Sequence, residues 1–183
     1  VPDGAAAMKL HLGIKSDPIE YRYGFEWLFS YMARREIAFL QLGSFFELYH
    51  LPDDYFRDLK SLAADHGVRI KSCFTAHREL GGFFTGNRHL ETVARRCYER
   101  YVEVASLVGA DYVGSNPGAV YRDRMESKED GIRRYIDHML ELSGYAREWG
   151  LAGLTMEPMS SVAEPPTTPE EIRRMIRGAG VGY

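Results

Sequence analysis

Apolar positions along this chain follow two spacings. Five short runs rich in Val, Ile, Leu and Phe, each closed by turn residues, predict strands at Met8–Lys15, Ile37–Gly43, Val68–Phe74, Asp111–Ser115 and Leu151–Glu157. Between them the spacing lengthens to the three-and-four rhythm of helices. Tyr23–Arg35 predicts a first helix without a clean cap. Asp53–His66 carries Tyr55, Phe56, Leu59, Leu62 and Ala63 on one stripe, and Gly67 supplies its stop. Asn87 is placed to cap a third helix whose inner face reads Leu90, Val93, Ala94, Cys97, Tyr101, Val104 and Val108. Ser127 to Asp130 has the form of a capping box, predicting a fourth helix with Ile132, Ile136, Met139 and Leu140 turned inward. Thr168 to Glu171 is a better box, with Pro169 at the first helical position of a fifth helix.

Strand and helix thus alternate five times, a pattern that requires parallel strands joined by right-handed crossovers. An open doubly wound sheet and a (β/α)8 barrel both satisfy it. The stretch after the first strand, GIKSDPIEY, contains neither GxGxxG nor a P-loop, which removes the main support for the open sheet. A barrel uses about 30 residues per unit, and the first spacings fit that figure. The expected fold is α/β, of (β/α)8 TIM-barrel type, truncated to about five βα units. Residues 1–7 are expected as an extension before a start at Met8, and residues 8–183 as one partial barrel domain without a linker.

Composition narrows the partners. A formal net charge of −3 gives no global attraction to nucleic acid or anionic membrane. No apolar run reaches the roughly 20 residues of a membrane span, and the N-terminal residues do not read as a secretory signal. Cys73 and Cys97 have no metal-ligand spacing and read as packing residues, so a cytoplasmic location is expected. Homo-oligomerisation is an open expectation.

In either architecture the ligand site lies beyond the C-terminal ends of the strands. The residues there are Lys15, Ser16 and Asp17; Gly43 to Glu47; His77, Arg78 and Glu79; Ser115 to Gly118; and Glu157 to Ser160, followed by Glu164. Phe45, Phe46, Phe83 and Phe84 are placed to wall this rim from water, and Gly81 to Gly86 reads as a mobile flap or an ordinary long loop. Glu157 ends an apolar run and precedes Pro158, which stops the strand. Its carboxylate suits a hard divalent cation; a solvated strand-end glutamate, or one paired with Arg122 or Lys71, is the competing reading. His77 is a candidate metal or substrate contact, or a loop histidine bonded to backbone. Glu164 reads as a substrate contact or a loop carboxylate. His50, His66, His89 and His138 read as solvated, and ARRCYERY as a solvated basic face.

Four stretches together, KLHLGIK, the strand leading to His77, GADYVGSNPG and LAGLTMEPM, resemble the xylose isomerase-like barrel superfamily of sugar isomerases, ketose epimerases and endonuclease IV-type enzymes. The resemblance spans Met8 to Ile176. It implies Glu157 as a metal ligand and acid/base group. It implies His77 and Glu164 as substrate contacts, with Asn116 beside them where the endonuclease branch has a metal-binding histidine. It implies a divalent metal (Mn²⁺, Mg²⁺ or Co²⁺ before Zn²⁺) and a small sugar or sugar phosphate, isomerised or epimerised by proton transfer next to a carbonyl. A C-glycoside-cleaving or dehydratase lyase, an endonuclease IV-like phosphodiesterase and an inactive fragment are the alternatives. The family's remaining metal ligands come from strands six to eight, which this sequence does not contain.

Overall fold

The computed structural model describes residues 11–19, 21–43, 46–76 and 80–179, the Phe46 side chain excepted. Its strands are β1 (Gly13–Lys15), β2 (Phe39–Gly43), β3 (Arg69–Thr75), β4 (Tyr112–Ser115) and β5 (Gly153–Met156). Its helices are α1 (Phe25–Arg34), α2 (Asp53–Asp65), α3 (Arg88–Leu107), α4 (Lys128–Glu148) and α5 (Pro169–Ala179). The strands pair in parallel in the order β1-β2-β3-β4-β5. That order decides between the two architectures. A doubly wound sheet reverses direction about a switch point, whereas a barrel adds each strand beside the last. Five consecutive βα units of a barrel are what this chain forms.

The two faces of the sheet differ. Leu40, Leu42, Ile70, Cys73, Val113 and Leu154 are buried under the helices. Ile70 and Cys73 lie an odd number of residues apart, so strict alternation would send one of them to the wrong face. A register shift between Leu40 and Gln41, which pairs Leu40 with Ile70 but Gln41 with Ser72, lets both bury on the helical side. The opposite face is polar and half-exposed. Gln41 Nε2 donates to Ser72 Oγ at 3.1 Å, and the Lys15 ammonium lies 5.2 Å from the centre of the Phe74 ring. Gly114 must be glycine here, because a Cβ would overlap the Thr155 side chain and backbone of the neighbouring strand.

Helix ends follow the sequence signals in part. Asn87 caps α3, its Oδ1 accepting from His89 N at 2.9 Å and Leu90 N at 3.4 Å. Thr168 Oγ1 accepts from Glu171 N, but Glu171 reaches back to Thr167 N and Oγ1, one residue earlier than the expected box. Ser127 caps nothing. It ends a 3-10 segment, Arg122–Ser127, and its hydroxyl bonds Arg124 O instead.

The inward stripes also need correcting. In α3 the buried residues are Ala94, Tyr98, Tyr101, Val102, Val104 and Ala105, whereas Leu90 and Val93 are 41% and 50% exposed. In α4 Tyr135 and Leu142 pack inward and Leu140 is exposed. Tyr55 of α2 is exposed as well. The basic run in α3 is not a solvated face. Arg100 donates to Asp53, Glu103 and the Leu51 carbonyl, and Arg95 bridges Glu99 and Glu141.

Candidate functional site at the C-terminal rim

The rim is built by continuing the sheet's own hydrogen bonds past the strand ends. Ser16 N donates to Gln41 O, and Ser16 Oγ accepts from Gly43 N at 2.7 Å, tying the ends of β1 and β2. Asn116 N donates to Thr75 O, and Glu157 N to Ser115 O at 3.4 Å. Because Glu157 keeps this ladder going, the two-residue period puts it on the face of Thr155, away from the buried Leu154. It is exposed, and among the described residues no hydrogen bond or ion pair engages its carboxylate. Lys71 does not hold it, being bonded to Asp111, and its exposure is what the solvated reading expects.

Asn116 and Glu164 come together in one cavity of about 580 Å³, formed by the segments after β3, β4 and β5 and by the start of α3. Asn116 Nδ2 is 2.8 Å from Met159 Sδ, while its Oδ1 is buried with no hydrogen-bond partner among the described residues. A buried carbonyl oxygen left without a donor is costly unless something else fills the position. Val120 N donates to Ala163 O and Met159 N to Pro166 O, so the segments after β4 and β5 hold each other. A larger cavity of about 870 Å³ lies between the entry to α1 and the outside of α2. Of the strand-end residues only Glu47 lines it, whereas the smaller one gathers residues that follow three strands.

His77, Arg78, Glu79 and Phe45 lie outside the described residues, so the expected contact of His77 is not placed. The mobile flap is corrected. Phe83 and Phe84 are fully buried against α3 and α4 in a short 3-10 turn, Gly82–Phe84, with Phe84 stacked on Tyr135 at 5.2 Å. They anchor the loop and do not shield the rim. Gly118, at φ 107°, lies so close to Gly81 that a Cβ would sit 2.5 Å from its Cα. The loops after β3 and β4 are therefore locked against each other.

His138 is also not simply solvated. Its ring stacks on Phe83 at 4.4 Å and lies 4.0 Å from Glu91. Burial lowers its pKa, with Glu91 opposing. Burial likewise pushes the Cys73 thiol and the Tyr98 phenol well up, which makes Cys73 an inert packing residue. Tyr98 lies against Ser115, beneath the rim. The sequence reading did not single out Tyr98. A tyrosine one turn from Tyr101 on the packed stripe was its only signal.

Glu157 is the hard oxygen donor that Mg²⁺ or Mn²⁺ takes. Among the described residues, however, no three His, Cys, Asp or Glu side chains gather closely enough to hold a metal ion. No helix of the described residues is long and apolar enough to cross a membrane.

The comparisons with known proteins agree with this geometry. No curated protein matches the chain by sequence. A Rhodospirillum rubrum protein assigned by name to the xylose isomerases superposes with a TM-score of 0.83 at 17% identity, over 93% of this chain and 61% of its own. D-psicose 3-epimerase, solved in the presence of D-fructose, gives 0.76 at 12% identity, over 93% and 60%. The Clostridium cellulolyticum D-psicose 3-epimerase with D-tagatose gives 0.76 at 14% identity, over 91% and 59%. The chain thus spans about three fifths of these structures. At such identities they establish the fold. The model of the xylose isomerase-like TIM barrel matches residues 29–182, and the chain belongs to that family.

Proposed function

We propose that this chain carries the first five βα units of a sugar isomerase or epimerase that moves a proton at a carbon next to a carbonyl. The observation that carries the reading is the rim cavity. Asn116, with a buried oxygen lacking a donor, and Glu164 line one concavity at the catalytic end of a xylose isomerase-like sheet. Structural neighbours named as sugar epimerases support it.

In this reading Asn116 Oδ1 accepts a hydrogen bond from a sugar hydroxyl. Glu164, unpaired among the described residues, accepts another and fixes the ring's orientation. Glu157 is the proton carrier and one ligand of a divalent ion (Mn²⁺, Mg²⁺ or Co²⁺), and His77 is a further substrate contact. The ion, when bound, supplies charge stabilisation to neighbouring sugar oxygens. Among the described residues the one charged group lining the cavity is the acidic Glu164, which does not favour an endonuclease reading.

The test uses the full-length protein loaded with Mn²⁺ and a panel of ketoses and aldoses, free and phosphorylated. Interconversion of one pair is expected, with Glu164→Gln raising KM more than it lowers kcat. Absence of any interconversion, with tight binding of abasic-site DNA, would overturn the reading.

A further inference from the structure

The lining of the rim cavity is chemically mixed. Asn116 and Glu164 are polar, while Leu90, Val93 and Tyr121, in the same lining, are 41%, 50% and 47% exposed. Single exposed apolar side chains need no explanation, but these three line one concavity. Leu90 and Val93 keep the apolar periodicity of α3 without contributing to the core beneath it. The wall is also fixed in place. The Asn87 cap holds the first turn of α3, and the Gly81–Gly118 contact locks the loop that leads to Tyr121. A cavity of about 580 Å³ lies well within the range for drug-sized ligands. A free monosaccharide has only its C–H faces to set against these side chains, and a larger apolar group would cover more of their surface.

We propose that the substrate is a sugar bearing an apolar aglycone, with the sugar at Asn116 and Glu164 and the aglycone against Leu90, Val93 and Tyr121. This deepens the reading above and rests on it. Leu90 and Val93 are specificity-determining and touch no reacting atom. Their outward positions allow polar substitution without opening the core.

The experiment is calorimetric titration of the full-length, Mn²⁺-loaded protein. The probes are a panel of free hexoses and pentoses, the same sugars as p-nitrophenyl glycosides, and p-nitrophenol alone. At least one glycoside is expected to bind roughly tenfold or more tighter than its free sugar and than p-nitrophenol. The double substitution Leu90→Gln and Val93→Asp should abolish that advantage while leaving free-sugar affinity and melting temperature unchanged. Asn116→Ala should weaken both ligands together. Free sugars binding as tightly as their glycosides, or an advantage that survives the double substitution, would overturn the aglycone subsite while leaving the sugar-enzyme reading intact. Failure of every sugar and glycoside to bind would overturn both.

Discussion

The helical layer and the rim treat charge in opposite ways. Between helices, charges are tied across the fold: Arg100 to Asp53 and Glu103, Arg95 to Glu141, Lys128 to Glu171, and Arg174 to Glu129. Apart from Arg100–Glu103, which lies within α3, these pairs join elements far apart in sequence, and Arg95, Arg100, Lys128 and Glu171 among them are groups that packing has partly desolvated. At the rim, Glu157 and Glu164 have no such partner among the described residues, and Asn116 holds a buried oxygen without a donor. Unpaired carboxylates on an outer surface would be ordinary. Here they stand where the fold delivers its ligands. The contrast separates groups spent on holding the fold from groups left available to a substrate.

Substitutions can break this comparison from its structural side. The largest effect is expected from Gly114→Ala, whose Cβ would overlap Thr155 in the next strand. A loss of about 3 kcal/mol in chemical denaturation is predicted, and a loss under about 0.5 would show that β4 and β5 are not packed as described. Arg100→Ala removes two carboxylate contacts, a carbonyl contact and a stacking interaction with Phe56. It should cost about 2 kcal/mol without altering ligand binding at the rim.

Glu171→Gln is smaller and depends on pH. Burial raises the Glu171 pKa, but hydrogen bonds from Lys128 and Thr167 outweigh it and hold the carboxyl below its usual 4.5. Its stabilisation is therefore present above pH 4.5 and lost as the pH falls through the lower folded value. At neutral pH the variant should lose about 1–2 kcal/mol, with the gap to the wild type closing in acid. Melting curves across pH 3 to 7 would check this.

His138 should have the smallest effect. Burial beside Phe83 lowers its pKa from 6.5, against the opposing pull of Glu91. Below pH 6.5 the unfolded chain takes up a proton that the folded chain resists, so stability falls as the pH drops through the folded value. Glu141 and Asp137 pull with Glu91, whereas Arg95 adds to the lowering. His138→Gln should flatten the slope of melting temperature between pH 7 and 5.

Much of the fold was legible because its signals are local. Five apolar runs, the glycine stop at Gly67 and the Asn87 cap each act within a few residues. The alternation of strand and helix required parallel strands, and the absence of a phosphate-binding loop after the first strand favoured the barrel order. What the sequence hid depends on distant partners. Periodicity marks Leu90 and Val93 as apolar on α3 but cannot say that the first turn of the helix overhangs the cavity. The Ser127 box failed because a 3-10 turn captured its hydroxyl. His138 looked solvated because Phe83, its stacking partner, lies 55 positions earlier. At the site, Asn116 and Glu164 were legible as strand-end residues. Their shared cavity depends on loop-to-loop bonds such as Val120 to Ala163, which no spacing records.

The most direct measurement compares Glu157→Gln with Glu170→Gln, a solvent-exposed control on α5, in the full-length protein. Turnover and bound Mn²⁺ would be measured on the same preparations. Loss of turnover by about 10³-fold or more and loss of bound Mn²⁺ are expected for Glu157→Gln alone, with melting temperatures matched. Wild-type turnover and metal content in Glu157→Gln would contradict the account.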